Sequence, residues 1–407
     1  MIGVGNTLFF IANDGVHGFE LWRSDGTPDG TMLVRDIRPG LGSAFGGSEM
    51  LAVMHDTLYF IANSGEVGLW RSDGTYEGTF LIRNGGLDYW SALLVNNGTL
   101  FIATYDSLWK SDGTPEGTVL VRDRLCMSTG LTHFAFMNGV LFFVGGERRD
   151  GWFMGCETEL MRSDGTPEGT FMVKDIRSSE SGFPASGLGY FSHLTVVSNT
   201  LFFNANDGIH GRELWKSDGT AAGTVMVKDI ITNDLWRSNL SSLSIGANLT
   251  SLHTMLFFNV NDDFAHRDKF GFWRSDGTEE GTVQLLPEWA YAHAVICGQV
   301  FITSQTNLYT LLIDPNRCTI SGRVTDSAGN GVAGVTVSAG ARSATTDANG
   351  FYALSGLSSG VYALRAEKPG CLIEPAQRAV TLPPDQDAQD FTAICLTERA
   401  FLPLVIR

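Results

Sequence analysis

"LWRSDGTPDGT" at residues 21–31 returns as "LWRSDGTYEGT" at 69–79, "LWKSDGTPEGT" at 108–118, "LMRSDGTPEGT" at 160–170, "LWKSDGTAAGT" at 214–224 and "FWRSDGTEEGT" at 272–282. Each copy keeps a basic residue, Ser-Asp-Gly-Thr, two variable positions and Gly-Thr. One unit has been copied along the chain, and its chemistry is that of a turn. In the first copy Asp25 opens a hairpin loop in which its carboxylate can accept backbone N–H groups two residues on. Gly26 and Gly30 can take the positive φ that a Cβ disfavours, and Thr31 restarts a strand. The same role passes to Asp73, Asp112, Asp164, Asp218 and Asp276. Identical repeats need identical corners, so the six aspartates read as structural. The competing reading is six acidic rim loops that collect calcium or another ligand.

An aromatic strand pattern precedes each corner: "TLFFIAND" at 7, "TLYFIANS" at 57, "TLFIATYD" at 99, "VLFFVGGE" at 140, "TLFFNAND" at 200 and "MLFFNVND" at 255. A seventh, "QVFITSQTNLYTLLI" at 299, has Leu308-Tyr309 in place of Leu-Trp and no corner after it. The aromatic positions recur at roughly 49 residues, within the range of four-stranded propeller blades. The fifth unit shows the strands best: "HLTVV" (193–197), "TLFFNAND" (200–207), "ELWKSDG" (213–219) and "TVMVKDI" (224–230). Along its third strand Glu213, Trp215 and Ser217 face one way and Leu214, Lys216 and Asp218 the other. Both faces of a blade are covered, so Lys216 needs an acid or water. The expected fold is all-β: a seven-bladed propeller over 1–313 with its last blade incomplete. Because the ring as given is one strand short, a strand and an export leader are expected upstream of Met1.

These repeats resemble the bacterial ELWxxDGTxxGT repeats, grouped with hyalin-like repeat proteins of large secreted or surface proteins. The match covers about residues 1–313. The leading Glu stands at Glu20, Glu159 and Glu213 but gives way to Gly68, Ser107 and Gly271, and Met161 replaces Trp. The resemblance implies a propeller-like scaffold at the cell surface and no defined reaction.

Composition agrees with many short strands and tight turns: 48 Gly, 26 Phe and 9 Trp in 407 residues, with 18% charged. The net charge of −16 lies almost wholly before residue 318, which disfavours nucleic acid and anionic membrane surfaces as partners. No apolar run is long enough to span a bilayer. Six cysteines (126, 156, 297, 318, 371, 395) form no CxxC pair, and three near the end hint at a disulfide there.

After the linker 314–317 the texture changes. Residues 318–395 alternate apolar and polar residues between "SAGNG", "DANG" and "SSG" turns, a seven-strand pattern. Gly322, Val324, Asp326, Gly331 to Val337, Thr346-Asp347, Gly350-Phe351-Tyr352, Leu354, Leu357, Gly360 and Tyr362 carry a resemblance to the carboxypeptidase regulatory-like domain. That resemblance implies a prealbumin-like β-sandwich, related to carbohydrate-binding-like folds. An isopeptide crosslink would need a lysine where Arg323 stands, so none is expected. The apolar tail 396–407 reads as a last edge strand or a sorting signal.

The search for chemistry yields few candidates. His133 and His193 share an offset before their Phe-bearing strands and His293 is one residue off, so the three could project toward a channel and hold a metal ion. "IANDGVHGFE" (11–20), "NANDGIHGRE" (204–213) and Asp347-Ala348-Asn349-Gly350 invite comparison with calcium loops, but their spacing favours Asx turns. No nucleophile motif or P-loop occurs. The chain therefore reads as a secreted or cell-surface, non-catalytic binding or scaffold protein with no cofactor, whose partner is an extracellular glycan or protein. The rival is a secreted polysaccharide hydrolase with paired carboxylates assembled across blades.

Overall fold

The computed structural model describes residues 1–46, 51–89, 91–127, 133–148, 157–177, 187–188, 192–230, 249–252, 254–260, 269–296, 299–304, 307–312, 318–358, 360–382 and 386–395. Cys156, Cys297, the linker 314–317 and the tail 396–407 lie outside them. The described residues form an all-β chain with two compact units, Met1–Trp289 and Ala290–Arg407.

The first unit is a series of small antiparallel sheets, all but the fourth with strands in sequence order because short polar turns join them. The first holds β1 (Ile2–Val4), β2 (Thr7–Asn13), β3 (Phe19–Ser24) and β4 (Met32–Arg35), and the second β5 (Leu51–Met54), β6 (Thr57–Asn63), β7 (Val67–Ser72) and β8 (Phe80–Asn84). The third holds β9 (Ala92–Asn96), β10 (Thr99–Ala103), β11 (Leu108–Ser111) and β12 (Val119–Arg122). The fourth adds a strand: β13 (Leu125–Met127) and β14 (Phe134–Met137) share one edge of β15 (Val140–Glu147), followed by β16 (Glu159–Ser163) and β17 (Phe171–Lys174). The fifth holds β18 (Thr195–Val197), β19 (Thr200–Asn206), β20 (Arg212–Ser217) and β21 (Val225–Lys228), close to the segments read from sequence. The sixth holds β22 (Thr250–Leu252), β23 (Met255–Val260), β24 (Gly271–Ser275) and β25 (Val283–Leu286). In all six the register slips at the same pair, Leu-Trp in four sheets as between Leu214 and Trp215, Leu160-Met161 in the fourth and Phe272-Trp273 in the sixth, and this bulge twists the outer strand.

Successive sheets bury their faces on each other. Leu58, Phe60 and Trp70 pack with Phe9, Leu21 and Val34 of the sheet before, and Leu201, Phe203 and Trp215 pack with Phe142, Leu160 and Val173. Trp215 serves one joint and Leu214 the next, as strand alternation requires. The first strands also meet in series, β1 against β5, β5 against β9, β14 against β18 and β18 against β22. Among the described residues of the first unit, no other sheet packs on the leading face of the first. Leu8 is 41% exposed, whereas its counterparts Leu58, Leu100, Leu141, Leu201 and Leu256 are fully buried.

The second unit contains a three-stranded sheet, β26 (Ala290–Ile296), β27 (Gln299–Ser304) and β28 (Leu308–Leu312). It also contains a sandwich of eight strands, one more than the sequence pattern suggests: β29 (Cys318–Thr325), β30 (Thr336–Ala339), β31 (Arg342–Thr345), β32 (Phe351–Leu357), β33 (Gly360–Glu367), β34 (Cys371–Glu374), β35 (Arg378–Leu382) and β36 (Phe391–Cys395). The sheet orders are β32-β29-β36-β34 and β31-β30-β33-β35. Ile320, Val324, Val337, Leu354, Leu364 and Phe391 fill the space between them. Cys371 and Cys395 face each other on adjacent strands and form a disulfide, and Cys126 and Cys318 each take part in a disulfide of their own.

Candidate functional site

The six corners share one internal bonding pattern. At the fifth, Asp218 Oδ1 accepts from Thr220 N at 2.9 Å and from its hydroxyl at 2.7 Å, and Thr220 Oγ1 accepts from Gly223 N at 3.0 Å. Ser217 and Thr224 share a hydroxyl–hydroxyl bond of 2.7 Å, which closes the loop across the strand ends. Gly219 N donates to Ser217 Oγ. The threonine hydroxyl and N–H groups hold Asp25, Asp112, Asp164, Asp218 and Asp276 below the usual carboxylate range, and at Asp73 the backbone bond leads.

The two glycines have different tasks. Gly219 has φ 92°, as expected, but Gly223 and its five counterparts do not need positive φ. A Cβ at Gly223 would sit 2.1 Å from the Asp218 carboxylate, so that glycine is required by close approach. The sequence expectation for Gly30 is corrected in the same way: its Cβ would lie 1.9 Å from Asp25 Oδ1.

Each corner also locks onto the sheet before it. The aromatic of the preceding second strand lies under the positive-φ glycine: Phe9 under Gly74, Tyr59 under Gly113, Phe101 under Gly165, Phe142 under Gly219 and Phe202 under Gly277. Basic residues then reach corner carbonyls of the following sheet. Arg35, Arg122, Lys174 and Lys228 donate to the carbonyls of Thr79, Thr170, Thr224 and Thr282 at 2.5, 3.1, 2.7 and 2.9 Å. Lys216 donates to Gly277 O at 2.7 Å. Its partner is a backbone carbonyl, not the acid or water the sequence suggests. A cationic donor on a carbonyl contributes about 1.5–3 kcal/mol, so the motif is a joint as well as a turn. The first corner is the exception, for nothing lies within 4 Å of where a Gly26 Cβ would be.

The leading glutamates, to which the sequence assigns no task, secure the connections between sheets. Glu20 accepts from Ile37 N and Arg38 N at 3.0 and 3.1 Å. Glu159 accepts from Ile176, Arg177 and Gly187 N, and Glu213 from Ile230 N at 3.0 Å. All three are buried, and burial pushes Glu20 and Glu159 up to about 7 against the pull of those bonds. Where glycine replaces glutamate the next connection passes too close for a side chain: a Cβ would lie 2.4 Å from Arg83 O at Gly68 and 2.1 Å from Leu286 O at Gly271. The available signal was the Asp-Ile that follows the outer strand in the three glutamate-bearing units.

Of the three candidate histidines, two lie in the first unit. His133 is buried and His193 half-buried, and His193 is pushed below its ordinary value by burial and then by repulsion from His133. His293 is exposed on β26 in the second unit and bonds Thr303 Oγ1. Among the described residues no three His, Cys, Asp or Glu side chains gather as a metal ion would require. The loops compared with calcium sites use their acids internally. Asp14 Oδ1 accepts from Val16 and His17 N at 2.9 Å while Oδ2 bonds His17 Nδ1 at 2.7 Å, and Asp207 and His210 repeat this. Asp347 accepts from Asn349 and Phe351 N.

Residues 319–393 match the family model of the carboxypeptidase regulatory-like domain. The C-terminal sandwich is a domain of that family. No curated protein matches the chain. Among solved structures it is similar to BamB from Moraxella catarrhalis at 12% identity over 86% of this chain and 96% of that one, TM-score 0.41. It is similar to the computationally designed Ika8 protein at 14% identity over 76% and 81%, TM-score 0.39. Puromycin hydrolase follows at 14% identity over 61% of this chain and 39% of that one, TM-score 0.30. Among the described residues no helix is long and apolar enough to cross a membrane.

Proposed function

We propose that this chain is an extracellular or cell-surface binding and scaffold protein, its repeats forming a propeller of the ELWxxDGT type and its C-terminal domain a spacer or stabiliser. The observation that carries the reading is the way five of the six repeated corners are used up in joining sheets, which makes the repeat a rigid platform and leaves recognition to positions where the units differ. The disulfide Cys371–Cys395 supports an oxidising compartment. On this reading the ring closes over the exposed leading face of the first sheet, around Leu8. A glycan and surface-protein array read together with a polysaccharide hydrolase screen tests it. Saturable binding without turnover is the expected result, and turnover of a bound polysaccharide would replace the scaffold with the hydrolase.

A further inference from the structure

Two lysines stand at the same position of their third strands, Lys110 in the third sheet and Lys216 in the fifth, each directly before the Ser of the repeat and opposite a valine of the outer strand. Lys216 donates to Gly277 O of the next corner. Lys110 lies against the matching glycine, its Cδ 3.6 Å from where a Gly165 Cβ would be, but its ammonium has no hydrogen-bond or ion-pair partner among the described residues. Beside it, β9 turns into β10 through Asn97-Gly98 and β14 into β15 through Asn138-Gly139, two-residue turns with every φ between 48° and 78°. Asn96 Nδ2 donates to Gly139 O at 3.3 Å and ties these turns together. Between them and the Asp164-Gly165 corner lies a cavity of about 130 Å³, whose walls include Asn97, Thr99, Phe101 and Lys110. All of its lining residues, and their neighbours along the chain, are described residues.

Among those residues the lining carries one charge of each sign, on Lys110 and Asp164. Asp164 Oδ1 accepts from Thr166, so its own corner fixes the carboxylate in place. A compact anion drawn to Lys110 meets that carboxylate in the same small space, and a cation drawn to Asp164 meets the ammonium. A neutral hydroxyl suits both, since it accepts from an ammonium and donates to an oxygen. Asn97 and Thr99, whose side chains have no hydrogen-bond partner among the described residues, each offer a donor and an acceptor besides. Phe101, buried beneath Gly165, supplies an apolar floor for C–H groups. The volume is that of a few waters at about 30 Å³ each and falls short of the roughly 300–1,000 Å³ of a whole small-ligand site. It therefore takes the edge of a larger molecule. We propose that this cavity is a subsite for a pair of adjacent hydroxyls on a neutral saccharide, held by Lys110, Asn97 and Thr99. The inference rests on the binding reading for its ligand class and on the cavity for its place.

The test is a titration of the full chain, followed by saturation-transfer NMR, with maltotriose, cellotriose and mannotriose as neutral probes and glycine and acetate as charged ones. At least one trisaccharide should bind saturably and at least tenfold more tightly than glycine or acetate. Lys110→Met and Thr99→Val should each weaken it at least fivefold with unchanged melting temperature. Lys216→Met is the control: its ammonium serves the joint to the sixth sheet, so it should lower the melting temperature and leave the affinity as it was. Failure of all three trisaccharides, tighter binding of glycine or acetate, or equal affinity in the Lys110 and Thr99 variants would overturn the assignment. A glycan or protein found on the array that binds those variants as tightly as the parent removes the subsite and leaves the binding reading. Turnover of a trisaccharide whose KM rises in both variants removes the non-catalytic reading and keeps the subsite.

Discussion

At the scale of the residue, the corner works because two glycines make room in different ways. Gly219 takes a conformation that a Cβ strains, and Gly223 yields its side-chain space to the Asp218 carboxylate. Gly223→Ala should therefore destabilise by about 1–3 kcal/mol through overpacking. In an Asp218→Ala background the same change should cost clearly less, a coupling that denaturant unfolding of the four proteins in a double-mutant cycle measures. Additive losses would mean that Gly223 is required for some other reason. The turn, its aspartate and the positive φ of the first glycine were legible in the sequence because they are local. The second glycine was misread, since close approach depends on where the Asp side chain goes and not on backbone preference. The Asp14–His17 and Asp207–His210 pairs add a pH dependence of known sign. Asp14 is held at about 2, first by the His17 N–H, and both histidines are raised from 6.5 by their aspartates. The histidine contribution is complete below 6.5 and lost as pH rises through the raised value, while the depressed Asp14 contributes above 3.8 and loses it as pH falls toward 2. His17→Gln together with His210→Gln should flatten the melting temperature between pH 6 and 8. An undiminished slope in that double variant would place the titration elsewhere.

At the scale of the element, a sheet is defined by the corner it offers to the sheet before it and by the aromatic and basic residues it offers to the next. Phe202 meets Gly277 and is fully packed, so Phe202→Ala should cost about 3–5 kcal/mol, most of it at the joint to the sixth sheet. Hydrogen exchange should show lost protection in β22 to β25 ahead of β5 to β8, and uniform loss would contradict a joint-by-joint stack. Alternation and period gave away the strands because each carries its own pattern. The bulge in the third strand's pairing, the eighth sandwich strand and the glutamate anchors stayed hidden, for they are set by pairings across the chain and not by a local pattern, as Trp215 with Met226 and Glu213 with Ile230. Glu20 and Glu159, raised from 4.5 to about 7 by burial, contribute stability that is complete below 4.5 and declines as pH rises through 7. Glu20→Gln with Glu159→Gln should remove that decline from thermal melts between pH 4.5 and 7. A decline of wild-type size would show that these carboxyls titrate normally.

At the scale of the whole molecule, the raised glutamates and histidines and the net charge of −16 act in one direction. Each weakens the folded state as pH rises toward neutrality, so the chain should melt highest in mildly acidic solution and gain from added salt at pH 8. A melting temperature still rising at pH 8 would contradict this. Residues 318–395 hold their own core and disulfide and should fold when expressed alone; a disordered circular dichroism spectrum would contradict that. The candidate site was far less legible than the fold. The histidine trio was picked by offset from the strands, and offset says nothing of which units meet in space; His133 lies near enough to His193 to depress it, and His293 stands on a strand of the second unit. Where the third unit breaks its repeat, with Asp123-Arg124 in place of Asp-Ile, the departure was visible in the letters but without meaning until β13 was placed. The central claim, that the repeated corner is a joint between sheets, is tested most directly by thermal melts of the six single variants Asp→Ala at 25, 73, 112, 164, 218 and 276. The five corners seated on a preceding sheet should lose roughly 2–6 °C, as one or two lost hydrogen bonds do in a unit of this size. Asp25→Ala, whose corner rests on nothing, should lose the least. Six unchanged melting temperatures accompanied by loss of a bound ion or ligand would contradict the claim.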